Sequence, residues 1–91
     1  MSQIFHRHCH AKLPTAVAGE GPYLIDQHGQ RYLDGSCGAA VTSLGYDHPA
    51  VIQAVQRQVE NMPFAHTGFF TSEPAEALAT LLADAAPGKL N

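Results

Sequence analysis

Apolar and polar positions follow two different periods along this chain. Between Tyr23 and Asp34 the period is close to two. The blocks Tyr23-Leu24-Ile25-Asp26 and Arg31-Tyr32-Leu33-Asp34 carry aromatic and branched residues in near alternation, separated by Gln27-His28-Gly29-Gln30. This pattern predicts a β-hairpin, with Gly29 supplying the positive φ that such a loop requires. Gly35-Ser36-Cys37-Gly38 then breaks the regularity, and Ala40 to Leu44 reads as a third short strand, completing an antiparallel meander. Glycines at that corner permit a close approach of backbone to a ligand or another chain, or simply turn it.

From His48-Pro49 onward the period becomes helical. Val51, Ile52, Val55, Val59 and Met62 recur on one face while Gln53, Gln56, Arg57 and Glu60 fall elsewhere, which predicts an amphipathic helix over residues 49–61. Proline fits its first turn, Asp47 is placed to cap it or to favour the positive end of its dipole, and Pro63 ends it. The connector Phe64-Ala65-His66-Thr67-Gly68-Phe69-Phe70 leads to Thr71 or Ser72 as the cap of a second helix. Leu78, Leu81, Leu82 and Ala85 form its apolar stripe, and Pro87-Gly88 stops it.

Composition narrows the function classes. A net charge of -3 with five Lys and Arg in total argues against nucleic acid or an anionic membrane as partner. No apolar run approaches ~20 residues and Met-Ser-Gln-Ile-Phe-His-Arg lacks a signal-peptide h-region, so the expected location is cytoplasmic. Cys9 and Cys37, unpaired by any framework, fit free thiols in a reducing compartment.

Three stretches, taken in order, resemble one family. They are Tyr-Leu-Ile-Asp-x-x-Gly-x-Arg-Tyr-Leu-Asp-Gly at 23–35, Leu-Gly-Tyr-Asp-His-Pro-Ala-Val at 44–51 and Pro-Phe-Ala-His-Thr-Gly-Phe-Phe-Thr-Ser-Glu-Pro-Ala at 63–75, with Ala86-Pro87 beyond them. The chain is similar to the N-terminal segment of the class III aminotransferases, the pyridoxal-phosphate-dependent group that includes ω-amino acid, ornithine and 4-aminobutyrate aminotransferases. Two positions depart from the family's habit: Tyr46, where histidine is frequent, and Cys37, where Ala, Ser or Gly is more common.

The resemblance implies an α+β fragment: a short antiparallel meander plus two amphipathic helices, part of the small domain of a pyridoxal-phosphate transferase. Residues 1–20 would be an N-terminal arm and residues 21–91 the start of that domain, with the large cofactor-binding domain absent. It also implies a homodimer that moves an amino group from an amine or ω-amino acid to a keto acid, with pyridoxal phosphate as cofactor of the full-length parent. An aminomutase of the same family is the nearest enzyme alternative. A stand-alone noncatalytic interaction module is the alternative from another class, should the gene end at Asn91.

The cofactor needs a lysine for its Schiff base and an acid for its ring nitrogen. Lys12 and Lys89 are the only lysines, one in the arm and one in a Pro-Gly-Lys turn, so no catalytic or cofactor-binding residue is assigned and the 91-residue chain alone is expected to be inactive. By the same resemblance, Ala39 and Ala40 would line the substrate entrance, and Gly68, Phe69 and Phe70 would reach toward the active site across the dimer interface. From the residues alone, these are equally well strand alanines and core aromatics.

Three further features carry side chains capable of chemistry. His6, His8 and His10 would share one side of a strand, but a zinc site wants a fourth ligand, and the segment reads as a solvated arm with no metal assigned. His48 is read as support for the helix start and His66 as the residue ordering the connector. Cys37 has no neighbouring cation in sequence and reads as a small packing residue.

Overall fold

The computed structural model describes residues 2–89. Three strands form one antiparallel sheet in the order β1-β2-β3: β1 is Ala16–Glu20, β2 is Tyr23–Asp26 and β3 is Arg31–Leu33. The hairpin forms where the alternation places it. Tyr23 opposes Leu33, Leu24 opposes Tyr32 and Ile25 opposes Arg31, while Gly29 takes φ +81° in the loop. Because side chains alternate between faces, this register gathers Glu20, Tyr23 and Arg31 on one side. There the Arg31 guanidinium lies 4.6 Å from the centre of the Tyr23 ring and 3.2 Å from Glu20 Oε2.

On the other side Asp26 is the one buried polar residue among those described, 6% exposed. Its Oδ1 accepts the backbone N–H groups of His28 at 2.8 Å and Gln30 at 3.0 Å, and its Oδ2 accepts the Tyr32 hydroxyl at 2.9 Å. Burial alone would push the Asp26 carboxyl up; these donors outweigh it and hold the group below its ordinary range. A buried acceptor satisfied by the hairpin loop and by β3 fixes both.

The third strand is not where the sequence places it. Residues 40–44 form no strand; the sheet is completed instead by β1, which lies within the segment read as an arm. Ala16 opposes Asp26 and Glu20 opposes Tyr23, with a bulge between Ala16 and Ala18. Residues 37–40 wind into a single turn, α1 (Cys37–Ala40), whose φ angles are all positive: 54° at Cys37, 57° at Gly38, 63° at Ala39 and 68° at Ala40. This is a left-handed turn, and only one of its four residues is glycine.

The two long helices form as the periodicity requires: α2 is Pro49–Asn61 and α3 is Glu73–Ala85. At the start of α2 the carbonyl of His48 accepts the Ile52 N–H at 3.1 Å, whereas the Asp47 carboxylate, read as a cap, accepts the N–H of Gly21 at 2.9 Å. Ser72 occupies the N-cap position of α3 in extended conformation, with Pro74 in the first turn, though its side chain makes no cap bond. The Thr71 hydroxyl instead donates to Glu76 Oε1 at 2.5 Å. Ala86 leaves the helix at ψ 146°, as expected of a residue preceding proline.

Chain contacts divide the molecule into two units, one running to Gln53 and the other starting at Ala54. No apolar side chain is buried among the described residues. The stripe of α2 is 42% (Ile52) to 58% (Val55) exposed, and that of α3 is 55% (Leu78) to 66% (Leu81) exposed. Both helices therefore present open apolar faces. No helix of the described residues is long and apolar enough to cross a membrane.

Candidate functional site

The corner after β3 is organised by one carboxylate. Asp34 Oδ1 accepts the Ser36 hydroxyl at 3.1 Å, and Oδ2 accepts both the Thr42 hydroxyl at 2.9 Å and the Tyr46 hydroxyl through a short hydrogen bond. The Tyr46 hydroxyl is the main reason that Asp34 is held well below the usual carboxylate range, followed by the N–H of Gly38, while partial burial opposes the shift. The same bond raises the Tyr46 phenol, which would lose a charge-assisted donor role on ionising. Asp34 thus bridges the residue that precedes α1 and two that follow it.

The left-handed turn lies within that bracket. Its backbone is closed by Ala39 and Ala40 donating to the Ser36 carbonyl at 3.0 and 3.2 Å, and by Val41 and Thr42 donating to the Cys37 carbonyl at 2.7 and 2.8 Å. For residues with a Cβ this hand is unfavourable by about 1–2 kcal/mol each. Cys37, Ala39 and Ala40 all carry one, so surrounding contacts must hold the turn. Ala39 and Ala40 are exposed at its surface.

Tyr46 ties this corner back to the sheet. Its backbone N–H donates to the Gly21 carbonyl at 2.9 Å, and its side chain fills the space beside Gly19. Gly45, at φ +82°, lies so near the Gly21 carbonyl that a Cβ there would stand 3.0 Å from the oxygen. The short loop and the β1-β2 turn are therefore joined by close backbone approach.

In the second unit Gly68, Phe69 and Phe70 form one tight connector around His66. Gly68 donates its N–H to His66 Nδ1 at 2.9 Å, and Phe69 and Phe70 both donate to the His66 carbonyl at 3.0 Å. The His66 and Phe69 rings are 5.2 Å apart at 44°. His66 orders the connector, as its sequence context suggests. Phe69 and Phe70 are 81% and 67% exposed, so the alternative of core aromatics does not hold within this chain. Ala39 and Ala40 belong to the first unit and Gly68 to Phe70 to the second.

His6 Nε2 is hydrogen bonded to the Ser2 hydroxyl at 3.1 Å, and no three His, Cys, Asp or Glu side chains are grouped to hold a metal among the described residues. Lys12 and Lys89 are exposed, and the one ion pair among the described residues is Arg31 with Glu20. Pyridoxal phosphate takes a lysine at its aldehyde carbon and an acid at its ring nitrogen, on the far side of the ring; two exposed lysines in surface segments do not make such a site, so the described residues do not fit it. Asp34, Thr42 and Tyr46 were missed as site residues. Asp34 was read as the end of a strand, and no local pattern in the sequence announces a hydroxyl 12 positions later reaching back to it.

Comparison with known proteins agrees with the fold. The family model described as aminotransferase class-III matches residues 5–90. The uncharacterized aminotransferase YodT of Bacillus subtilis is 42% identical over 78 residues, covering 86% of this chain and 18% of that protein. The acetylornithine aminotransferase of Methanopyrus kandleri is 42% identical over 88 residues, covering 96% of this chain and 22% of its own length. Among solved structures, the PMP-bound form of an aminotransferase from Vibrio fluvialis superposes with a TM-score of 0.76 at 34% identity, over 82% of this chain and 17% of that one. The chain thus spans about a fifth of the length of the relatives it matches.

Proposed function

The chain belongs to the class III aminotransferases, and on that premise we propose that the full-length protein moves an amino group from an amine or ω-amino acid to a keto acid. The observation that carries the reading is the match of the family model across residues 5–90, almost the whole chain. Residues from β1 onward would contribute the first part of the small domain, preceded by an arm, in a cytoplasmic homodimer. Pyridoxal phosphate would be the cofactor, supplying the electron sink for transfer of the amino nitrogen and held by residues other than those described here.

What this chain would contribute is shape. Ala39 and Ala40 put methyl groups on an exposed turn that is closed by the N–H groups of residues 39–42. At a substrate entrance such a turn admits wide donors. Gly68, Phe69 and Phe70 would reach toward the active site across the dimer interface, with the Phe69 ring set against His66. The open apolar faces of α2 and α3 suit the remainder of the small domain and a partner subunit as cover.

The test follows the nitrogen. The full-length protein, supplied with pyridoxal phosphate, a 15N-labelled ω-amino acid or amine and an unlabelled keto acid, is expected to deliver 15N to the keto acid skeleton. Label retained in an isomer of the donor would assign an aminomutase instead. Failure to move label from any donor, with a folded protein, would leave the noncatalytic interaction module.

A further inference from the structure

The left-handed turn of α1 raises a question of support: three of its residues carry a Cβ at φ 54–68°, in a conformation that the chain abandons unless held. Its own four backbone hydrogen bonds close the turn but do not choose its hand. The groups that brace it from outside are Ser36 before the turn and Thr42 and Tyr46 after it, and all three hydroxyls converge on Asp34. Tyr46 is in turn anchored on the sheet, by its N–H to the Gly21 carbonyl and by its side chain against Gly19. The carboxylate therefore connects both ends of the turn to the most regular part of the unit.

Shape at Thr42 adds to the brace. A Cβ at Gly38 would stand 3.1 Å from Thr42 Cγ2, so the side chain that donates to Asp34 also lies against the inside of the turn. Glycine at 38 leaves that space open. Removing either the acceptor or its strongest donor should let residues 37–40 relax toward right-handed or extended conformations, and the methyl groups of Ala39 and Ala40 would then leave the positions they now occupy.

We propose that Asp34, through its hydrogen bonds with Tyr46, Thr42 and Ser36, is a positioning residue that sets donor-size selectivity by holding the left-handed turn that presents Ala39 and Ala40. The proposal rests on the reading that this turn borders the donor entrance of the full-length aminotransferase. Asp34 acts at one remove from the substrate, and Tyr46 is the donor whose loss isolates the effect, because Tyr46→Phe keeps the ring beside Gly19 and removes the hydroxyl alone.

The experiment uses the full-length holoenzyme with Asp34→Asn, Tyr46→Phe and, as control, Asp26→Asn. Asp26 is a comparable hydrogen-bonded carboxylate at the end of β2 but makes no bond to the turn. Two quantities are read: amide hydrogen exchange at Val41 and Thr42, and the ratio of kcat/KM for a bulky aryl amine to that for a small alkyl amine. Asp34→Asn and Tyr46→Phe are expected to speed exchange at both amides about tenfold and to shift the donor ratio several-fold through KM, with kcat for the small donor little changed. Asp26→Asn is expected to lower stability and leave the ratio alone. Unchanged exchange in Asp34→Asn and Tyr46→Phe would overturn the brace itself. Faster exchange with an unmoved donor ratio would overturn the proposal from the other side, by taking the turn out of the entrance while leaving nitrogen transfer intact. An equal ratio shift in Asp26→Asn would reduce the effect to general destabilisation and overturn it as well.

Discussion

Gly19 and Tyr46 meet so closely that a Cβ at residue 19 would stand 2.4 Å from the Cβ of Tyr46 and 2.8 Å from its Cγ. Glycine in β1 is therefore the condition for docking the loop after α1 on the sheet. Gly19→Ala is expected to destabilise the protein by about 1–3 kcal/mol, as overpacking does. The nearest atom is a Cβ, which every residue but glycine possesses, so Tyr46→Ala should not rescue Gly19→Ala. Thermal unfolding of the two single variants and the double variant checks this; full rescue by Tyr46→Ala would place the clash further out on the ring.

The pH dependence of the corner has a definite sign. Asp26 and Asp34 are held below the ordinary carboxylate value of 3.8, so their hydrogen bonds stabilise the fold above about pH 4, and that contribution is lost as pH falls through their lowered folded values. Tyr32 and Tyr46 are raised above 10.0; their contribution is complete below about pH 10 and is lost as pH rises through the raised values. A plateau of stability between these limits is expected, and Asp34→Asn should flatten its acid edge. Urea unfolding midpoints across pH 2–6 test this, and an acid edge as steep in Asp34→Asn as in the parent would contradict it.

Gly68 lacks a positive φ, and what restricts it is a neighbour: a Cβ there would stand 2.8 Å from His66 Cε1 and 3.0 Å from Nδ1. Gly68→Ala is expected to push the His66 ring away, break the 2.9 Å bond from the Gly68 N–H and disturb the contact with Phe69, for about 0.5–1.5 kcal/mol. His66→Ala breaks the same bond and makes room. The double variant should then be no less stable than His66→Ala alone, a non-additivity that a double-mutant cycle measures directly.

The elements that could be read from the sequence are those whose stability is local. Tyr23 to Leu33 carries the alternation and the loop glycine of a hairpin, and α2 and α3 carry both periodicity and proline punctuation. β1 was hidden because Ala-Val-Ala-Gly-Glu holds a single β-branched residue, and its strand state comes from pairing with β2. The strand expected at 40–44 had a more apolar pattern, but the ties of Gly45 and Tyr46 to Gly21 pull that segment into a turn. The left-handed α1 was the least legible feature. Alanine is a poor residue for that conformation, and its support comes from Asp34 and Tyr46, which lie outside the turn. Of the site residues assigned by resemblance, Gly68 to Phe70 could be expected to share a connector, whereas the role of His66 Nδ1 in setting its shape arises only once the chain folds back on itself there.

The donor entrance itself is tested at Ala39. Under the proposed function, Ala39→Trp should reduce kcat/KM for bulky amine donors by about one to two decades while small donors lose little, since filling a formed pocket opposes only substrates that need the space, at about 1–3 kcal/mol. Backbone strain does not confound the comparison in the way a glycine position would. Ala39 already carries a Cβ at φ 63°, so tryptophan extends a side chain from a conformation that the chain has accepted. Ala39→Gly supplies the matching control: it relieves the left-handed Cβ contact and removes only a methyl group, so donor preference should stay near that of the parent. The measurement is steady-state kinetics of the full-length enzyme on a series of donors of increasing width, with cofactor content and thermal stability recorded for each variant. Equal losses for wide and narrow donors in Ala39→Trp, with folding and cofactor content unchanged, would remove Ala39 from the entrance and leave it as packing on an exposed turn.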